Sequence, residues 1–437
     1  MATPNLLLIL TDQQSARMMG CAGNRYVRTP AMDRIAASGM RFDRAYCTNP
    51  VCVPARFSLM TGRLPSEIGL RSNHSRHIDA VPDRILTAGP GWLLGEAGYR
   101  CVYGGKVHLP KMRPEGLGFE ILTDDERDGL AAACADFIRE PHDAPFCLVA
   151  SFINPHDICY MAIRDFGETD LDRVLLERGE TELAALDQAL ALPEGMGRGE
   201  FFATRCPPLP PNFAPQADEP EAIRRLLAER PFRRRARQEW PPERWRMHRW
   251  AYARLTERVD AHVGRVLDAL REAGIERDTV VLFTSDHGDM DSAHRMEHKT
   301  AFYDEAARVP LLISQPGSTP PGTVDAAHLV SNGLDVVPTL CDYAGVEPPA
   351  DLAGRSLRPL AEGRAPQAWR DAVPLESQIG RGIVAERFKY LLYDQGAHRE
   401  QLMDLGGDPH ETRNAAGDPD KQDALAQLRQ RFHGVFG

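Results

Sequence analysis

The chain has 437 residues, 43% of them hydrophobic, enough for a large core and a second, smaller unit. Its 62 acidic and 52 basic residues give a formal net charge of −10, so no global positive field exists to hold nucleic acid or an anionic membrane, and any anion site must be local. No apolar stretch has the length a membrane span needs.

The first predicted element is a strand over Leu6 to Leu10, which runs into Thr11, Asp12 and Gln13. With no basic leader before it and no cleavage pattern after it, this short run reads as a strand and not as a secretory h-region. A helical pattern follows at Met32 to Ser38. Nine cysteines, at positions 21, 47, 52, 101, 134, 147, 159, 206 and 341, are odd in number and lack the paired spacing of a zinc site. They lead to the expectation of reduced thiols in a cytoplasm.

The stretch Pro50-Val51-Cys52-Val53-Pro54-Ala55-Arg56 puts a cysteine at a predicted helix start, with Pro54 in the first turn, where its missing N–H is no loss. A group there meets the positive end of a helix dipole and free backbone N–H groups, and Arg56 adds a cationic fork, so the local chemistry is anion capture. Taken alone, Cys52 suits a low-pKa thiolate nucleophile or a buried core thiol. Three residues separate it from Arg56, fewer than the loop of cysteine phosphatases needs.

Further strands are predicted at Cys147 to Ile153, Val280 to Thr284 and Pro310 to Ile313, and a long helix at Arg254 to Ala273. The alternation predicts an α/β fold, a large mixed, mostly parallel sheet flanked by helices. Ligands of such sheets bind beyond the carboxyl ends of the strands, so the pairs Asp12-Gln13 and Asp286-His287 face one site. From about 164 to 245 the text changes to an acidic helix-like stretch at Glu168 to Leu192, a Pro-rich piece at Pro207 to Pro215 and a basic run at Arg224 to Arg237. It reads as an insertion or lid. The basic run suits either a solvated helix face or the gathering of an anionic substrate, and Trp240, Trp245 and Trp250 suit packing.

Beyond a large first domain, assigned to residues 1–360, strand-like pieces at Gly382 to Ala385 and Tyr390 to Tyr393 and a helix near Lys421 to Phe432 predict a small α+β C-terminal domain over 361–437. No fixed-period repeat and no GxxxxGK[ST] or strand-linked GxGxxG phosphate loop is present.

Cys52-Val53-Pro54-Ala55-Arg56 resembles the Cys-x-Pro-x-Arg signature of type I sulfatases, in the alkaline phosphatase superfamily, whose cysteine is oxidised to formylglycine. The family more often has Ser where Ala55 stands. Gly105-Lys106-Val107-His108-Leu109 resembles the family's Gly-Lys-x-His motif, and Asn154-Pro155-His156-Asp157 its Pro-His segment. Thr284-Ser285-Asp286-His287-Gly288-Asp289 resembles its metal motif, and His294 through Lys299, Tyr303, Glu305 and Arg308-Val309-Pro310-Leu311 the segment after it. The stretches Leu334 to Leu340, Gly354 to Leu357 and Leu402 to Leu405, before Asp408-Pro409-His410-Glu411, resemble a sulfatase tail, so the likeness spans nearly the whole chain outside the insertion.

The resemblance implies hydrolysis of a small sulfated molecule to alcohol and inorganic sulfate. A hydrated formylglycine, made from Cys52 by a formylglycine-generating enzyme, attacks sulfur, and the resulting sulfo-enzyme expels sulfate as the aldehyde re-forms. Asp12, Gln13, Asp286 and His287 are the implied ligands of one divalent metal, calcium first and manganese or zinc second. Arg56, Lys106 and Lys299 would neutralise the nonbridging oxygens, His156 would protonate the leaving alcohol, and His108 would orient or deprotonate the diol. His74, His77, His294 and His298 are read as pocket-lining or structural, and the oligomeric state is left open. Three other readings stand beside this one. They are a phosphonate monoester or phosphodiester hydrolase of the same superfamily, a noncatalytic anion-binding protein with an unmodified Cys52, and a cysteine-thiolate hydrolase.

Overall fold

A computed structural model of the chain describes residues 3–74, 76, 78–364 and 366–437. Its large sheet contains β1 (Asn5–Asp12), β2 (Met40–Phe42), β4 (Arg100–Gly105), β5 (Glu120–Thr123), β6 (Phe146–Pro155), β7 (Thr279–Ser285), β8 (Leu311–Ser314) and β9 (Thr323–Asp325). The spatial order is β5-β4-β6-β1-β7-β8-β2-β9. All neighbouring pairs are parallel except those that β8 makes with β7 and with β2. A short pair, β3 (Ala45–Tyr46) with β10 (Val330–Ser331), lies beside it. The predicted α/β class, mixed and mostly parallel, is what the chain adopts.

The reason is legible in β1. Leu6, Leu8 and Leu10 pack on one face of the sheet and Leu7 and Ile9 on the other, all buried, so the strand is apolar without alternation, as a strand covered on both faces must be. One face is covered by helices Cys52–Thr61, Pro90–Glu96 and Asn332–Ala344, the other by helices Pro30–Ser38, Asp128–Arg139 and the long helix Pro242–Glu272.

Residues 160–239 form six helices, five of which build an apolar core together with the first turns of helix Pro242–Glu272, while helix Glu221–Ala228 packs against the C-terminal sheet. Trp240, Trp245 and Trp250 lie inside that core, as packing residues. The acidic stretch is two helices, Asp170–Arg178 and Glu180–Leu190, joined at Gly179. The C-terminal unit is an antiparallel sheet of β11 (Ala372–Ser377), β12 (Gly380–Ala385), β13 (Phe388–Tyr393) and β14 (Glu400–Asp404), with helix Gln422–Phe436 on one face. Its other face packs on Tyr46, Met290 and Phe302, where buried Lys389 donates to Asp304 and Glu411, both at 2.7 Å. Among the described residues no helix is long and apolar enough to cross a membrane.

Candidate active site

Strand register alone gathers the first components. Thr11 of β1 pairs with Ser285 of β7, which sets Asp12 beside Asp286 at the carboxyl end of the sheet. On the other side of β1, Asp12 pairs with Pro155 of β6, which delivers His156. Gly105 of β4 pairs with Ser151 of β6 and delivers Lys106. Gly105 has φ +86°, and a Cβ there would fall 2.2 Å from the Ser151 carbonyl oxygen, so glycine is required for β4 to end this close.

Helix Cys52–Thr61 points its N-terminus at this edge, and all ten of its residues are buried. Arg56, one turn in, is fully enclosed and ties the edge together. Its Nε donates to Asp286 Oδ2 at 2.8 Å, one terminal nitrogen to Asp12 Oδ2 at 3.0 Å, and the other to Ser151 Oγ at 2.8 Å and the Lys106 carbonyl at 3.0 Å. Lys106 Nζ lies 2.7 Å from Asp12 Oδ2. Burial pushes Asp12 up, but Lys106, His156 and Arg56 outweigh it and hold the carboxyl well below its usual range. Asp286 is pushed up to about 6 by burial and by the charge of Asp12. It still accepts from Arg56 and, through Oδ1, from the backbone N–H groups of Gln13 and His287, at 3.0 and 2.8 Å.

Cys52 sits in the centre. Its Sγ is 3.0 Å from Lys299 Nζ, 3.2 Å from His287 Nε2 and 3.8 Å from Asp12 Oδ1, with the His156 ring close by. Burial and Asp12 raise this thiol, yet Lys299, His287 and Lys106 overcome both and leave it well below an ordinary cysteine. Position 52 is thus a place for negative charge. The Nδ1–H of His287 can donate to the Gly288 carbonyl at 2.9 Å, which leaves Nε2 facing Cys52.

Donor atoms of Asp12, Cys52, Asp286 and His287 lie within 4.8 Å of one another, all buried. Two carboxylates, an imidazole nitrogen and the position-52 atom form a donor set that fits one divalent cation. Gln13, whose side-chain oxygen is a further candidate donor, lies beside this set and shares Lys299 with Cys52. Its Oε1 accepts from Lys299 Nζ at 2.6 Å and from the Cys159 thiol at 3.1 Å, and its Nε2 donates to Asp289 at 2.6 Å. The residue has φ +69°, a conformation held by its N–H on Asp286 and its carbonyl on the Tyr252 hydroxyl at 2.6 Å. Its side-chain oxygen Oε1 faces the Cys52 pocket through Lys299.

His108 is not brought into the cluster. Two residues past Lys106 and at φ +44°, it is exposed, and no hydrogen bond joins it to the cluster among the described residues. Chain reversal after β4 turns it outward, where its predicted role on the diol has no geometric basis in the free protein. His294 stacks on Tyr303 with centroids 3.9 Å apart, and His298 packs on Phe232 at 5.4 Å. His74 is exposed, and His77 lies outside the described residues.

Several supporting residues were given no role in the sequence reading. Ser151 anchors Arg56 and the Lys106 carbonyl, and a serine inside an otherwise apolar strand run was its one signal. Arg127 grips Asp157 with two bonds, at 2.5 and 2.8 Å, and so fixes the turn that carries His156. Asp289, pushed up to about 7 by burial and then by Asp291, orients the Gln13 amide.

A sequence profile described as Sulfatase matches residues 4–346, and one described as N-sulphoglucosamine sulphohydrolase, C-terminal, matches residues 292–435. The chain belongs to the sulfatase family. It is a sulfuric ester hydrolase. This sulfatase is 30% identical to the Delta 4,5-hexuronate-2-O-sulfatase of Bacteroides thetaiotaomicron over 98% of its own length and 87% of the relative's. The solved structure of a 2-O GAG sulfatase is similar at 28% identity with a TM-score of 0.83, covering 99% of this chain and 92% of that one. The phosphonate monoester hydrolase of Agrobacterium radiobacter shares the fold, with a TM-score of 0.72 at 24% identity over 98% and 96% of the two chains.

Proposed function

We propose that this sulfatase removes sulfate from a small sulfated sugar acid, using Cys52 converted to formylglycine by a formylglycine-generating enzyme and one divalent cation held by Asp12, Asp286 and His287. The observation that carries the reading is the convergence of these three donors, Lys106, Lys299 and His156 on the position-52 side chain. The 2-O-sulfatase names of the relative and of the structural neighbour support a sulfated sugar as substrate. The oxygen-rich donor set supports calcium first and manganese or zinc second. Nine free cysteines support a reducing, cytoplasmic setting.

Formylglycine supplies a hydroxyl nucleophile that is regenerated after each turnover, and the cation, when bound, supplies charge to acidify it. The chain's own groups do the rest. Arg56 keeps both carboxylates aimed at position 52, and the N–H to carbonyl bond of His287 turns its Nε2 there. Lys106 and Lys299 offer ammonium protons to the nonbridging sulfate oxygens, where charge accumulates as the ester bond breaks.

His156 is placed to protonate the leaving oxygen. In the free site burial, then Lys106 and Lys299, push its pKa down to about 4, so the ring is neutral at pH 7. An anion bound among those lysines offsets their charge and raises it. Binding then takes up a proton above pH 4, so affinity grows as pH falls. Inhibition by inorganic sulfate is accordingly expected to tighten from pH 7 to 5 in wild type and to lose that dependence in His156→Gln. A flat profile in wild type refutes the role.

The cation is tested by chelation. Activity is expected to disappear with chelator and return with calcium, and Asp286→Ala to need at least about tenfold more metal for half-activation, the loss typical of a disturbed metal site. Full activity in metal-free enzyme would refute the ligand set. A second reading, hydrolysis of phosphonate monoesters or phosphodiesters, rests on the Asp12-Gln13 and Asp286-His287 pairs, which resemble that branch.

A further inference from the structure

Five arginines from separate stretches of the chain line one cavity of about 470 Å³. Arg17 and Arg25 belong to the loop after β1, Arg41 to β2, Arg249 to helix Pro242–Glu272, and Arg308 stands just before β8. Among the described residues Asp43 is the one carboxylate in the wall. The volume falls within the range of small-molecule sites, about 300–1,000 Å³, but such sites are mostly apolar and this wall is cationic. None of the residues gathered around Cys52 lines it.

The charges in this wall do not cancel. Arg41 pairs with Asp43, Arg249 Nε lies 3.2 Å from Asp291, and Arg308 lies 3.8 Å from Asp304, a carboxylate that Lys389 approaches to 2.7 Å. Arg17 donates to the Pro409 carbonyl at 3.4 Å and Arg25 to the Tyr26 hydroxyl at 2.7 Å, and neither has an ion pair among the described residues. Three carboxylates thus answer five guanidiniums, and two positive charges are left on the exposed members, Arg17 and Arg25. The other three are largely enclosed, with side chains 18–22% exposed. Like charges held in one concavity repel each other and concentrate anions there. The wall is also held in place. The Ala16 N–H donates to the Arg308 carbonyl at 3.0 Å, Arg308 Nε to the Asp43 carbonyl at 2.5 Å, and Arg249 to the Pro208 carbonyl at 2.5 Å, so little side-chain freedom is lost on binding.

We propose that this cavity is a second anion site, which takes a tetrahedral dianion, sulfate or phosphate, free or carried on a small organic body. The two unanswered positive charges match two negative ones, and a planar guanidinium fork meets two tetrahedral oxygens at once. Arg17 and Arg25 grip the anion from the exposed side, while Arg41, Arg249 and Arg308 supply the enclosed positive wall. The site is separate from position 52 and requires neither formylglycine nor the cation.

The probes are inorganic sulfate, inorganic phosphate and glucose 6-phosphate, each radiolabelled, and equilibrium dialysis against the formylglycine enzyme counts the sites per chain. Wild type is expected to hold two anions, one at position 52 and one in the cavity. Arg17→Glu/Arg25→Glu is expected to keep the first and to lose at least about tenfold in affinity at the second, the scale of charge-assisted bonds lost at two cations. Arg17→Lys/Arg25→Lys should fall in between. Both positions are exposed, so both variants should hold the wild-type Tm within about 1 °C and kcat/KM on 4-nitrophenyl sulfate within about threefold. Tighter binding of glucose 6-phosphate than of phosphate would identify a carried anion, and the reverse a free one. A single site per chain in wild type, or a second site untouched by Arg17→Glu/Arg25→Glu, would overturn the proposal. So would a loss of kcat/KM that matches the loss of binding, since the cavity would then belong to the path of the substrate. The count does not depend on turnover, so failure of the sulfatase reading would leave this test standing.

Discussion

Replacing Cys52 with alanine is expected to lower sulfate ester turnover by about a thousandfold or more, because it removes the nucleophile and not an auxiliary contact. Neither alanine nor the neighbouring groups can substitute for it. Lys299 and Lys106 are cations, and His287 faces position 52 with its Nε2. The fold should survive, since one small buried side chain is deleted at a helix start. A cost of about 1 kcal/mol, or a Tm fall of about 1 °C for a chain of this size, is the scale to expect. Turnover and calorimetry on the same preparation separate the two effects. Wild-type turnover in Cys52→Ala would remove position 52 from the chemistry.

The second large effect belongs to Arg56. Arg56→Met leaves Asp12 and Asp286 side by side in a dry interior without their shared cation, and breaking such a buried pair costs about 3–5 kcal/mol. Arg56→Lys keeps the charge but cannot reach Asp286, Asp12, Ser151 and the Lys106 carbonyl at once, as the planar guanidinium does. It is expected to retain more stability than Arg56→Met, yet to lose at least about a hundredfold in kcat/KM, because the two carboxylates are no longer aimed. Denaturant titration should be run in excess chelator, since a bound cation would offset the missing charge. A midpoint for Arg56→Met equal to wild type would contradict the tie assigned to this residue.

Much of this was legible in the text of the chain, for physical reasons. Strands buried on both faces, such as β1, β6 and β7, are continuous apolar runs, and their polar ends Asp12 and Asp286 announced a site beyond the sheet. The direction of β8 was not legible, because burial leaves the same apolar signature in either orientation. Strand β4 escaped notice since it ends on Gly104 and Gly105, and those glycines are what bring Lys106 against Ser151. The long helix was read from Arg254, whereas it starts at Pro242, because its first turns bury Trp245 and Trp250 against the insertion and so carry that region's composition. The turn that exposes His108 and the Lys299 bond that occupies Gln13 depend on tertiary geometry that no spacing encodes. The basic run was open to two readings, and in the structure Arg225 and Arg235 form exposed pairs while Arg237 pairs with buried Glu219.

Hydrolysis of matched aryl sulfate, phosphonate monoester and phosphodiester substrates by enzyme produced with a formylglycine-generating system, with and without chelator, bears on the activity itself. Sulfate hydrolysis that dominates the other two and vanishes with chelator is the expected result. Preference for the phosphonate or the diester, or sulfate turnover indifferent to chelator, would contradict it.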